Sequence, residues 1–122
     1  MRASLGFVVL ALIALTANAQ SPTATSVYIY KYADAPGVHA HVWIDGGAKH
    51  YVKAGEVLIV QLAPGQHEFH AGDKQPSVMQ LEAGKAYYFQ FGGGFYGHPT
   101  RLTQVAPEQG AFDVAKLKRI DN

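Results

Sequence analysis

Histidine is the residue type in this chain best placed to do chemistry. The six histidines are His39, His41, His50, His67, His70 and His98, and there is no cysteine. His39 and His41 are two apart, so on an extended strand they share a face. Asp45-Gly46-Gly47 follows and supplies residues that tolerate positive φ, as a tight hairpin requires. A two-residue loop at Gly46-Gly47 sets Asp45 opposite Ala48, Trp43 opposite His50 and His41 opposite Val52. His50 then shares a face with His41, one diagonal step away at roughly 7 Å between backbones. In that register His39, His41 and His50 line one surface beside Trp43, and imidazoles so placed bind zinc, copper or nickel. The competing reading is the polar solvent face of a half-buried hairpin, and a slip of one residue moves every side chain to the other face.

The other histidines have fewer companions. His67 and His70 are three apart and point to opposite faces of a strand. Glu68 and His70 share a face and form a potential acid–base couple, or an ordinary surface pair. His98 precedes Pro99 in a loop. Nucleophilic chemistry has less support: no Gly-x-Ser-x-Gly elbow occurs, and without cysteine there is no thiol. Asp34, Asp45, Glu56 and Asp73 fall at turns, where short polar side chains are expected in any case. Gly92-Gly93-Gly94 lacks the lysine and the strand-to-helix setting of a phosphate loop. The chain is therefore expected not to be an enzyme.

Aromatic residues offer contact chemistry instead. Tyr28, Tyr30 and Tyr32 alternate onto one face of a strand, and Phe95 and Tyr96 follow the glycine run. Such a set would stack on sugar rings or on a partner protein; its alternative is cross-strand packing.

The elements that must position these residues are strands. Val27–Tyr32 alternates Val27 and Ile29 against the tyrosines. His41–Asp45 and Lys49–Val52 form the hairpin. Val57–Leu62 is nearly continuous apolar sequence, as for a strand covered on both sides. Pro64-Gly65 predicts a type II turn, from which His67–His70 returns. Val78–Leu81 precedes the Ala83-Gly84 turn, and Ala86–Phe91 directs Tyr87, Phe89 and Phe91 one way. Arg101–Val105 is a further strand. After Pro107 a helical turn through Phe112, Ala115 and Lys116 competes with a strand at Leu117–Ile120, and Gly110 weakens the helix. About seven antiparallel strands, with turns every 8–12 residues and no long helical period, predict an all-β sandwich.

Val42-x-Ile44-Asp45-Gly46, Leu62-x-Pro64-Gly65-x-His67-x-Phe69 and Leu81-x-Ala83-Gly84-Lys85-x-Tyr87-Tyr88 resemble the turn order of PEGA-type repeats. With the leading Val27–Tyr30 strand, Gly94-Phe95 and closing Leu102–Val105, the chain resembles more closely the exported bacterial family called domain of unknown function 2846. The likeness spans about residues 26–120. It implies a small immunoglobulin-like, PEGA-like β-sandwich in the bacterial envelope with no established catalysis, and it makes His67 a structural residue after the Pro-Gly turn. It brings no functional residues. Many members look like lipoproteins, whereas here Gln20 stands where a lipidation cysteine would, so no stable membrane anchor is expected.

Residues 1–19 are expected to be a cleaved signal peptide. Arg2 is basic, Leu5–Leu15 is an apolar run of 11 residues, and Ala17-Asn18-Ala19 is a small-x-small cleavage site. A helix of that run reaches roughly 16 Å, short of a bilayer core of about 30 Å. Residues 20–26 read as a disordered leader and 27–122 as one domain, long enough for one core. With Arg2 removed, nine basic residues balance nine acidic ones, which excludes nucleic acid as the main partner. The expected function is a non-catalytic, periplasmic or secreted module that contacts an envelope protein or glycan and needs no cofactor. A periplasmic protein binding zinc or copper through His39, His41 and His50 is the alternative.

Overall fold

The computed structural model describes residues 24–33, 40–72, 76–92 and 100–120. Among them run β1 (Thr25–Tyr30), β2 (His41–Ile44), β3 (His50–Tyr51), β4 (Glu56–Leu62), β5 (Gly65–Ala71), β6 (Ser77–Leu81), β7 (Ala86–Gly92), β8 (Arg101–Val105), α1 (Pro107–Val114) and β9 (Lys118–Ile120). The predicted signal peptide, most of the leader, His39, Phe95, Tyr96 and His98 lie outside the described residues.

Two sheets form a small all-β sandwich. One has the order β8-β7-β1-β4-β9 and the other β3-β2-β5-β6. Period-two alternation decides what lies between them. Val27 and Ile29 of β1, Leu58 of β4 and Phe89 and Phe91 of β7 meet Val42, Phe69, Ala71 and Leu81 from the second sheet. Phe69 and Phe89 bridge the layers with ring centroids 5.3 Å apart. Leu58 enters this core while its neighbour Val57 is buried on the opposite face, so β4 is covered on both sides, as its unbroken apolar run predicts.

The structure revises the expected topology in three places. There are nine strands among the described residues, and two ladders are parallel: β1 with β7 and β4 with β9. Pro64-Gly65 is not a hairpin turn. Gly65 does take positive φ, at 124°, but β4 and β5 belong to different sheets, so the turn is a corner between layers. After Pro107 the helix and the final strand are both present. They are one device, because β8 and β9 are opposite edges of the five-stranded sheet. The connection between them must cross that sheet's outer face, and α1 is the crossing.

That crossing builds a second core. Tyr30, Val57 and Tyr88 are buried, with Tyr28, Tyr32, Ile59, Val105, Val114 and Leu117 packed around them. Pro107 opens the helix at a position that needs no amide donor. The protein thus has three layers, helix on sheet on sheet, and only the four-stranded sheet keeps an uncovered outer face among the described residues.

Candidate functional site

The tyrosine row is not an open contact surface. Tyr30 is 0% exposed, and its hydroxyl donates to Asp113 Oδ2 of α1 at 2.6 Å. Tyr32 donates to the same oxygen at 2.7 Å, and Gln109 Nε2 donates to Oδ1 at 2.8 Å. Tyr28 stacks on Tyr88, centroids 4.6 Å apart. The row packs because α1 lies over it. Burial, then the hydrogen bond to Asp113 and its negative charge, push the Tyr30 phenol far above its ordinary pKa. Burial alone would raise Asp113, but the bonds from Tyr30, Tyr32 and Gln109 and the Lys116 charge outweigh it, and its carboxyl is held below the usual range.

The histidine register also differs. Asp45 (φ 53°) and Gly46 (φ 73°) are the positive-φ residues of the turn, which is closed by Gly47 N–H donating to Ile44 O at 2.9 Å. The turn forms one residue earlier than expected, and the chain takes up one unpaired residue before β3. His41 then faces Tyr51, and Val42 faces His50. His50 is thereby set on the face of Val42, opposite to His41. His39 lies outside the described residues, among which no three His, Cys, Asp or Glu side chains are grouped to hold a metal.

The same register assembles a different site. His41 and Trp43 share the outer face of β2. Trp43 pairs across with His70 of β5, and His41 pairs with Tyr51 of β3. The rings meet edge to face: His41–Trp43 at 5.0 Å, His41–Tyr51 at 5.5 Å and Trp43–His70 at 5.7 Å. Neighbouring strands lie ~4.8 Å apart, so a row over three of them spans roughly 10 Å. Tyr51 is 56% exposed, and His41, Trp43 and His70 are half-buried. The Lys49 ammonium sits 5.0 Å from the Trp43 ring centre and 5.8 Å from that of Tyr51. Trp43, Gly46, His70 and Gly72 line a hollow of about 330 Å³ on this face. The sequence signal for it was Trp43 beside His41. His70 and Tyr51 were missed because strand pairing across distant segments brings them there.

His67 is structural. Its Nδ1 donates to Asp45 Oδ2 at 2.5 Å and its Nε2 to Ala63 O at 2.6 Å, while Asp45 Oδ1 accepts the Glu68 amide at 2.7 Å. The imidazolium therefore ties the β2–β3 turn to the β4–β5 corner. With Nε2 bonded to a carbonyl, the His67–Asp45 pair has no free base to offer a substrate. The hydrogen bond that His67 donates to Asp45, against a smaller opposing effect of burial, raises the His67 pKa. The Glu68 amide and then His67 lower that of Asp45. The His67 contribution is complete below its unfolded pKa of about 6.5 and is lost as pH rises through the higher folded value. The Asp45 contribution is lost as pH falls through its lowered value. Urea unfolding of His67→Ala is expected to show a loss of roughly 1 kcal/mol near pH 6, since Asp45 is solvent-exposed, shrinking by pH 9. A loss independent of pH would show that the charged clasp does not contribute.

Among the described residues no helix is long and apolar enough to cross a membrane. Compared with known proteins, the chain matches no family model and no curated protein.

Proposed function

We propose that the protein is a non-catalytic, exported module of the cell envelope that acts by surface contact with an envelope protein or glycan, a reading in keeping with its resemblance to domain of unknown function 2846. The observation that carries it is the aromatic row Tyr51–His41–Trp43–His70 on the sheet face that α1 does not cover and that no other described element covers. Partly exposed aromatic rings beside a hollow are what contact sites use as anchors. The Leu5–Leu15 run with its Ala17-Asn18-Ala19 site supports export, and Gln20 supports release without a lipid anchor.

Co-sedimentation with isolated envelope material tests the reading. The purified protein is expected to pellet with it, and Trp43→Ala is expected to stay largely in the supernatant while still showing a cooperative urea transition that begins above the conditions of the assay. Equal pelleting of the two proteins, or none by either, would sink the assignment of this row as the contact surface. Export is checked separately by N-terminal sequencing of the protein from cells, which should begin at Gln20.

A further inference from the structure

We infer that the aromatic row binds an acidic sugar, its pyranose ring stacked on Trp43 and its carboxylate drawn to Lys49; this deepens the contact-surface reading above and rests on it. The ring chemistry comes first. A pyranose presents a face of C–H bonds, weakly positive, that packs on the negative face of an aromatic ring, while its hydroxyls need donors and acceptors at the rim. Trp43 supplies the platform on the side that lines the hollow with Gly46, His70 and Gly72, clear of the Lys49 ammonium over its ring, and Tyr51 and His70 flank it across the strands. The imidazole nitrogens of His70 and the exposed Tyr51 hydroxyl are polar groups at that rim.

Charge decides which sugar. Lys49 is solvent-exposed, yet its ammonium is held over two rings at 5.0 and 5.8 Å, a cation–π arrangement that fixes a charge otherwise free to wander. The ion pairs of the described residues join His67 to Asp45 and Lys85 to Glu82, so Lys49 has no carboxylate partner among them. Glu68 is the acid on this face of β5, next in line after His70 and opposite Val78 of β6, whereas Lys49 adjoins Tyr51 of β3. Among the described residues the basic group of this face therefore lies at the β3 side, and its acid lies on β5 beyond His70. A uronic acid bound there would set its carboxylate at Lys49, with its neutral hydroxyls toward His70 and Glu68.

The probe is trigalacturonate, with maltotriose as the neutral sugar and triglutamate as the acid without a sugar. Trp43 is the only tryptophan in the chain, so its fluorescence reports directly on the platform. Trigalacturonate should change the emission saturably, while maltotriose and triglutamate bind at least about tenfold more weakly. Lys49→Met keeps the side-chain stem and removes the charge. It should weaken trigalacturonate about three- to tenfold, as for an exposed ion pair, and remove most of the salt dependence. Calorimetry on Trp43→Ala, which carries no fluorescent reporter, should show no binding. Equal affinity for maltotriose would overturn the acid selectivity and leave a glycan contact. Equal affinity for triglutamate would show a site that reads charge and not sugar. No response to any probe, or an affinity unchanged in Lys49→Met, would overturn the inference, and the co-sedimentation result with Trp43→Ala would still decide the contact-surface reading separately.

Discussion

Gly110→Ala is expected to destabilise the protein by about 1–3 kcal/mol, although the same change in an exposed helix stabilises by ~1 kcal/mol through helix propensity. Gly110 lies in the middle of α1 and is buried against the sheet. A Cβ there would fall 2.2 Å from Tyr88 Cγ and 2.5 Å from Tyr88 Cβ, well inside van der Waals contact. Tyr88 has no room to withdraw. Tyr88 is 8% exposed and stacked on Tyr28, and its Cβ is fixed to a central strand. The helix must lift instead, which opens the second core over Tyr30 and Val57. Urea unfolding followed by tyrosine circular dichroism gives both numbers needed, the midpoint and the near-ultraviolet signal of the packed rings. A higher midpoint in the variant would mean that α1 does not sit on Tyr88.

Gly110 also shows why part of this fold was legible and part was not. Period-two alternation identified the inward faces of β1 and β7, and the unbroken apolar run marked β4 as covered on both sides, because burial acts on each residue separately. Propensity counts Gly110 against a helix, and only the tertiary contact with Tyr88 explains why glycine is there. The hairpin register was open for a related reason. Asp45, Gly46 and Gly47 all tolerate positive φ, so more than one loop satisfies local chemistry. The loop that forms is also the one whose Asp45 reaches His67, 22 residues away. The Pro64-Gly65 turn was legible as a reversal, but turn chemistry does not say which sheet the next strand joins. These long-range choices decided the site. With the register shifted by one, His50 left His41 and Tyr51 replaced it, and the β2–β5 ladder then brought His70 to Trp43. The tyrosines do share one face. What covered them could be seen only once β8 and β9 were known to be opposite edges.

Asp113→Ala should be the most damaging single substitution at the seam between helix and sheet, with an expected loss of about 3 kcal/mol. One carboxylate accepts from Tyr30, Tyr32 and Gln109, and charge-assisted bonds of this kind contribute roughly 1.5–3 kcal/mol each when a partner would be left bare. Tyr32 and Gln109 can recover water, but Tyr30 is fully buried and cannot. Asp113→Asn keeps an acceptor oxygen and should lose less. The pH dependence separates this role from simple packing. The Asp113 carboxyl lies below its ordinary range, so its contribution is complete above the unfolded carboxylate pKa of about 3.9 and is lost as pH falls through the lower folded value. Asp45 adds an acid limb of the same sign, which Asp113→Ala leaves intact. Tyr30 sets the other side. Its folded pKa is raised, so stability is retained below the unfolded phenol value of about 10 and declines as pH rises beyond it. Unfolding midpoints from pH 2.5 to 11 should therefore show the wild-type and Asp113→Ala curves far apart at pH 7 and converging in acid, with Tyr30→Phe flattening the alkaline limb. Curves that stay parallel through the acid range would show that Asp113 acts there by its volume and not by its charge.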